Sequence, residues 1–111
     1  MILKWLDTKG VDALAASLAQ DLITRVPSAS VNAGGKKADA TQQKARDMVL
    51  RKAHEFAREN KLGVYAKARL ANKFKWALIE AGYPSDFVDK ITLDLAGVVA
   101  TAQADRGRTA K

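Results

Sequence analysis

The sequence predicts an all-α domain of four helices. Three features carry that reading. Apolar residues recur at three- and four-residue spacings in four separate segments, and no stretch of strict alternation marks a strand. Alanine, the strongest helix former, supplies 21 of the 111 residues. Both prolines fall between the periodic segments, as do the Gly34-Gly35 pair, Gly63 and Gly82.

The first helix is predicted over residues 7–25. Val11, Leu14, Ala15, Leu18 and Leu22 make one stripe at about 100° per residue. Pro27 closes the segment, because the residue before a proline resists the helical region. Gly10 weakens the first turn, and the residues before it are expected to add a short helical turn or an extended arm. Residues 27–40 are small and glycine-bearing, offer little to bury, and are expected to form a flexible loop open to proteolysis at Lys36 or Lys37.

The second helix is predicted over residues 41–60, with Ala45, Met48, Val49, Ala53, Phe56 and Ala57 on its inner side. Asn60-Lys61-Leu62-Gly63 reads as a short turn, and the third helix follows over residues 64–81 with Gly82 as its stop. Its expected apolar face is Val64, Ala68, Ala71, Phe74, Leu78 and Ala81. Ser85 caps a fourth helix over residues 86–104, striped by Phe87, Val88, Ile91, Leu95, Val98, Val99 and Ala102. The four helices make one domain over residues 1–104, and residues 105–111 are expected to be a disordered basic tail. With so much alanine the core should be thin, with Trp5, Phe56, Phe74, Trp76 and Phe87 as its larger pieces.

Composition excludes several chemistries. There is no cysteine, so thiolate nucleophiles, disulfides and zinc–cysteine or iron–sulfur sites are out. No His-x-x-x-His or Glu-x-x-His pair offers a metal site, and His54, the one histidine, lies away from the apolar stripe of its helix. Gly34-Gly35-Lys36-Lys37 lacks the spacing of a phosphate-binding loop, and no strand precedes it. Asp86 and Asp89 sit where a helix N-terminus favours acids in any case. An enzyme, a cofactor and a metal are therefore not expected. No segment reaches the roughly 18 apolar residues of a membrane span, and the start lacks the apolar core of a secretory signal. A cytoplasmic protein is the default expectation.

Charge is unevenly placed. The chain carries a formal net charge of +7, yet residues 1–26 balance to zero, residues 36–75 hold most of the bases, and residues 84–105 are acidic. Such asymmetry speaks to partners. Within the basic block, Tyr65, Arg69, Asn72, Lys73 and Trp76 share one strip of the third helix, about 100° wide. Apolar bulk therefore points both ways from this helix. Periodicity favours packing for Tyr65 and Trp76, with Trp76 at least partly buried. Aromatics interleaved with bases also suit nucleic acid, where cations neutralise phosphates and rings stack on bases. The turn at Leu62-Gly63-Val64 invites comparison with a helix-turn-helix, but Glu59 stands where a small residue is usual, and the following helix is apolar on its inner face.

The leading functional expectation is a small basic non-enzymatic binding protein that contacts nucleic acid through its second and third helices. The candidate residues are Arg51, Tyr65, Arg69, Asn72, Lys73 and Trp76. The alternative is a protein-interaction or self-associating module, meeting an acidic protein surface or another partner through the same aromatic–basic face.

Overall fold

Four helices form a bundle in which each helix has two neighbours. The computed structural model describes residues 2–28, 31 and 36–109; within the helices, the side chains of residues 2–8, 36–39 and 106–109 lie outside that description. The helices are α1 (Ile2–Arg25), α2 (Lys36–Glu59), α3 (Val64–Glu80) and α4 (Ser85–Thr109), and no strand occurs among the described residues. α1 packs on α3 and α2, and α4 packs on α2 and α3. α2 and α3 therefore stand at opposite corners of a square. An ion pair between Asp12 and Arg69 and a hydrogen bond from Tyr83 to Val26 make α1 and α3 parallel. The Arg46–Asp94 pair and the Gln103 contact with Ala57 make α2 and α4 parallel.

The core follows the stripes expected for three of the helices. Val11, Ala15, Leu18 and Leu22 of α1 are buried, as are Ala45, Val49, Ala53 and Ala57 of α2 and Val88, Ile91, Leu95, Val99 and Ala102 of α4. Phe56 and Phe87 pack at its edge, half-buried. Alanine is the smallest side chain at these seams, and small side chains there allow helix axes to approach toward the lower end of the 8–10 Å range. α3 is turned relative to its expected face. Its buried residues are Ala66, Leu70, Phe74 and Leu78, whereas Val64 and Ala68 are exposed. Phe74 and Leu78 belong to both faces; turning the helix by about 60° buries Leu70 and Ala66 in place of Val64 and Ala68, a gain of about one methylene. Trp76, expected in the core, is consequently 52 % exposed. Trp5 lies outside the described side chains.

Three boundaries differ from expectation. α1 begins at Ile2, so the arm before residue 7 is helical. α2 begins at Lys36, so residues 36–40 belong to a helix and not to the loop; Lys, Ala and Asp extend a helix without adding an apolar stripe. The rest of that loop at residues 29, 30 and 32–35 lies outside the described residues. α4 runs on to Thr109 where a disordered tail was expected from residue 105, since no proline interrupts Ala104-Asp105-Arg106 and Gly107 alone costs only about 1 kcal/mol.

Two devices lock the chain reversals. Four residues, 60–63, carry the chain across the diagonal from α2 to α3. A diagonal of roughly 11–14 Å is close to the reach of four extended residues. Leu62 is buried beneath this crossover and its N–H donates to Gln103 Oε1 at 3.0 Å. The same carboxamide donates through Nε2 to the Ala57 and Asn60 carbonyls, so α4 satisfies carbonyls that the end of α2 leaves open. At the other end, α3 stops in a Schellman arrangement. Gly82, at φ +95°, donates to Ile79 O at 3.0 Å and Tyr83 N–H donates to Leu78 O at 3.2 Å. Pro84 O accepts the first bond of α4, from Val88 N–H. Tyr83 stacks on Phe87 with ring centroids 5.4 Å apart, and its hydroxyl donates to the Val26 carbonyl at the end of α1.

Two stability outcomes follow. Phe74→Ala should lose about 3–5 kcal/mol in denaturant unfolding, and Ala53→Leu, overfilling a seam, about 1–3 kcal/mol. A smaller loss in both would mean that the seams are loosely packed. Burial pushes the Tyr83 phenol above its ordinary value of 10.0. The unfolded chain then gives up this proton first, so stability should fall as pH rises past about 10. Tyr83→Phe should cost about 1–3 kcal/mol at neutral pH by orphaning the Val26 carbonyl, and should flatten that alkaline decline.

Candidate functional site

The outer face of α3 gathers the exposed apolar side chains of the described surface. Five large hydrophobics stand exposed there, and four belong to this helix: Val64 at 82 %, Tyr65 at 60 %, Trp76 at 52 % and Ile79 at 36 %. Helical geometry places these four within about 120° of one another. Ala68 and Asn72 lie between them, both exposed. The fifth is Leu93 of α4, at 72 %. Tyr65, Ala68, Arg69, Asn72 and Lys73 line a shallow hollow of about 390 Å³, and Trp76 stands one turn beyond it.

Arg69 is committed within the chain. Its Nε and Nη2 donate to the two carboxylate oxygens of Asp12 at 2.7 and 2.9 Å, and its Nη1 donates to the Tyr65 hydroxyl at 2.9 Å. Its guanidinium also lies 6.0 Å from the centroid of the Tyr65 ring. The pair acts on both partners' protonation. The guanidinium holds the Asp12 carboxyl below the usual carboxylate range, and the carboxylate raises Arg69 further. Arg69 thereby orients Tyr65 and forms one wall of the hollow. Lys73, by contrast, is exposed and adds a smaller downward pull on the Asp12 carboxyl.

Of the six residues singled out from the sequence, the fold brings together Tyr65, Arg69, Asn72, Lys73 and Trp76. It leaves Arg51 apart, exposed on α2 at the opposite corner of the bundle. The bases of α2 are interleaved with Asp47, Glu55 and Glu59 on exposed positions, so that face is mixed in sign. α2 and α3 do not pack side by side, which removes the helix-turn-helix geometry. Sequence reasoning missed Val64 and Ile79, the first because it was assigned to the core, and Leu93, which interrupts the polar side of α4 without a pattern.

A second hollow, of about 300 Å³, lies between the first halves of α2 and α4, lined by Gln42, Gln43, Arg46, Phe87, Lys90 and Ile91. Its guanidinium is held by Asp94. Among the described residues no group of three or more acidic or histidine side chains is placed to hold a metal ion, and no helix is long and apolar enough to cross a membrane. No family model, no curated protein and no solved structure matches this chain. What the fold and this surface define is a class: a four-helix bundle that presents one aromatic helix face to solvent.

The Asp12–Arg69 pair yields a test of the wall of the hollow. An NMR titration should find the Asp12 carboxyl below the usual range, and Arg69→Gln should return it toward about 3.9. A carboxyl with a depressed folded value contributes stability that is present above its unfolded value and lost as pH falls through the folded one. The acid limb of the stability curve should therefore soften in Arg69→Gln. An unperturbed Asp12 in the parent protein would show the pair to be open in solution.

Proposed function

We propose that this protein is a non-enzymatic interaction module that docks another protein through the outer face of α3. The observation that carries the reading is the contiguous exposure of Val64, Tyr65, Trp76 and Ile79 on one helix. Scattered exposed apolar residues are ordinary, but four on one side of a single helix, two of them aromatic, support an interaction surface. Tyr, Trp and Arg dominate the energetics of such surfaces; Arg69 is bonded to Tyr65, and Trp76 stands on the same strip of α3 about two turns beyond Arg69.

Two observations weigh this reading above nucleic-acid binding. Arg69 is satisfied by Asp12 and Tyr65, so it is a poor phosphate ligand until that network opens. The basic residues of α2 and α3 face away from one another, so they do not add into a single phosphate-tracking groove. What favours nucleic acid is narrower: Lys73 and the exposed rings of Tyr65 and Trp76 lie on one helix.

Titration with single- and double-stranded DNA and RNA at several salt concentrations separates the two. Protein docking predicts only weak, sequence-blind binding that vanishes near physiological salt and is indifferent to Trp76→Ala. Saturable binding weakened by Trp76→Ala by about 1–3 kcal/mol, with a salt slope that falls by about one unit in Lys73→Ala, would overturn it in favour of base stacking. In either case Trp76→Ala should leave folding nearly unchanged, because the side chain is half in water.

A further inference from the structure

The occupant of this face can be narrowed, on the reading that it docks protein. We infer that it is a second copy of this chain, packed two-fold and antiparallel across the α3–α4 face. Three observations converge.

The first is area. α3 has 17 residues and is about 25 Å long. One helix width of about 10 Å gives it a footprint of roughly 250 Å², and a pair of such faces is too small for a specific interface. The surface does not stop at α3, however. The Lys75–Asp89 pair sets the antiparallel register of α3 and α4, which puts Ala96 opposite Ala68 and Leu93 beside Asn72. Ala96, Gly97 and Ala100 are exposed, and a Cβ added at Gly97 would meet no atom within 4 Å. Two helices side by side offer roughly 500 Å² per copy, about 1,000 Å² in all, which reaches the lower bound for a specific contact.

The second is charge. The two ends of this face differ in sign. Lys61 and Lys67 lie where α3 begins, and Glu80 and Asp86 lie where α3 ends and α4 starts; Lys61, Glu80 and Asp86 are exposed and Lys67 is half-buried. Lys75 is matched by Asp89 within the chain. A two-fold axis perpendicular to the helices brings the basic end of one copy against the acidic end of the other, twice. An axis along the helices would instead set acid against acid and base against base. Charge thus selects the antiparallel arrangement.

The third is shape. With the axis at Asn72, Trp76 of one copy stands opposite Ala68 of the other, and therefore at the hollow lined by Tyr65, Ala68, Arg69, Asn72 and Lys73. A large knob meets a small-floored hole walled by a tyrosine ring and two cations, a setting that favours indole. Tyr65 stands opposite Ile79, and the two Asn72 carboxamides meet on the axis, each with a donor and an acceptor for the other. An isologous contact requires this reciprocity.

Sedimentation equilibrium from about 1 µM to 1 mM tests the proposal. The expected result is reversible association from 12.0 kDa to twice that mass, with a dissociation constant on the order of micromolar to tens of micromolar. Trp76→Ala and Ala68→Asp should each weaken it by roughly tenfold or more while leaving circular dichroism and melting unchanged. Glu80→Lys and Lys61→Glu should each weaken it, and the two combined in one chain should restore it. A monomer across the whole range would overturn the inference, as would a dimer insensitive to Trp76→Ala or a double charge reversal that rescues nothing. A monomer that also ignores oligonucleotides sinks the second copy alone, whereas Trp76-dependent oligonucleotide binding sinks the docking reading itself.

Discussion

Each of the four helix–helix seams is lined with apolar residues, and among the described residues an ion pair stands at the rim of each. Asp12–Arg69 joins α1 to α3, Asp21–Lys52 joins α1 to α2, Arg46–Asp94 joins α2 to α4, and Lys75–Asp89 joins α3 to α4. The base comes from α2 or α3 every time, and the acid from α1 or α4. Partly exposed pairs of this kind contribute at most about 1 kcal/mol each, so they do not hold the bundle together; burial does that. Their value is in choosing neighbours. With the two basic helices at opposite corners, each lies between two helices that carry acids. Adjacent placement of α2 and α3 would bring together the two helices richest in bases.

The same arrangement decides what remains exposed. α3 uses Ala66, Leu70, Phe74 and Leu78 to meet α1 and α4, and Arg69 and Lys75 to close its two rims. Everything between those rims on the outer side is left to water, and there the sequence supplies Val64, Tyr65, Trp76 and Ile79 in place of lysine and glutamate. Among the described residues these four are the large apolar side chains of α3 that stand exposed. Arg69 links the two roles, because the guanidinium that closes the α1–α3 seam also fixes the Tyr65 hydroxyl at the edge of the outer hollow. Loss of Asp12 would leave that guanidinium with the Tyr65 hydroxyl as its remaining partner among the described residues.

Much of this was legible in the sequence, and the reasons for the remainder are physical. The stripes of α1, α2 and α4 are unambiguous because polar residues fill their opposite sides. α3 has apolar residues all round, so periodicity alone could not decide between Ala68 and Leu70, and the volume of the buried side chains settled it. Residues 36–40 and 105–109 are helical through backbone propensity without an apolar stripe, the one signal that periodicity does not register. The separation of Arg51 from Tyr65 and Trp76 depends on which helices are neighbours, which no local pattern encodes. The unequal charge of the segments did hold that information, but it reads as an intramolecular code only once the acids of α1 and α4 are set beside the bases of α2 and α3.

The diagonal crossover is specified as firmly as the seams. A simple hairpin between α2 and α3 would need only a turn, and in it Leu62 would sit at the surface and the Gln103 carboxamide would find no carbonyls. In the observed fold Leu62 plugs the bundle end, and Gln103 answers one N–H and one C=O of the crossing segment and the Ala57 C=O at the end of α2. Each group is unfavourable in the alternative and satisfied in this one, so the pair discriminates between topologies by more than either contact contributes to stability. Because the crossover sends α3 to the far corner, its outer face adjoins α4 and not α2. The mixed-charge face of α2 is therefore turned away from the aromatic side of α3.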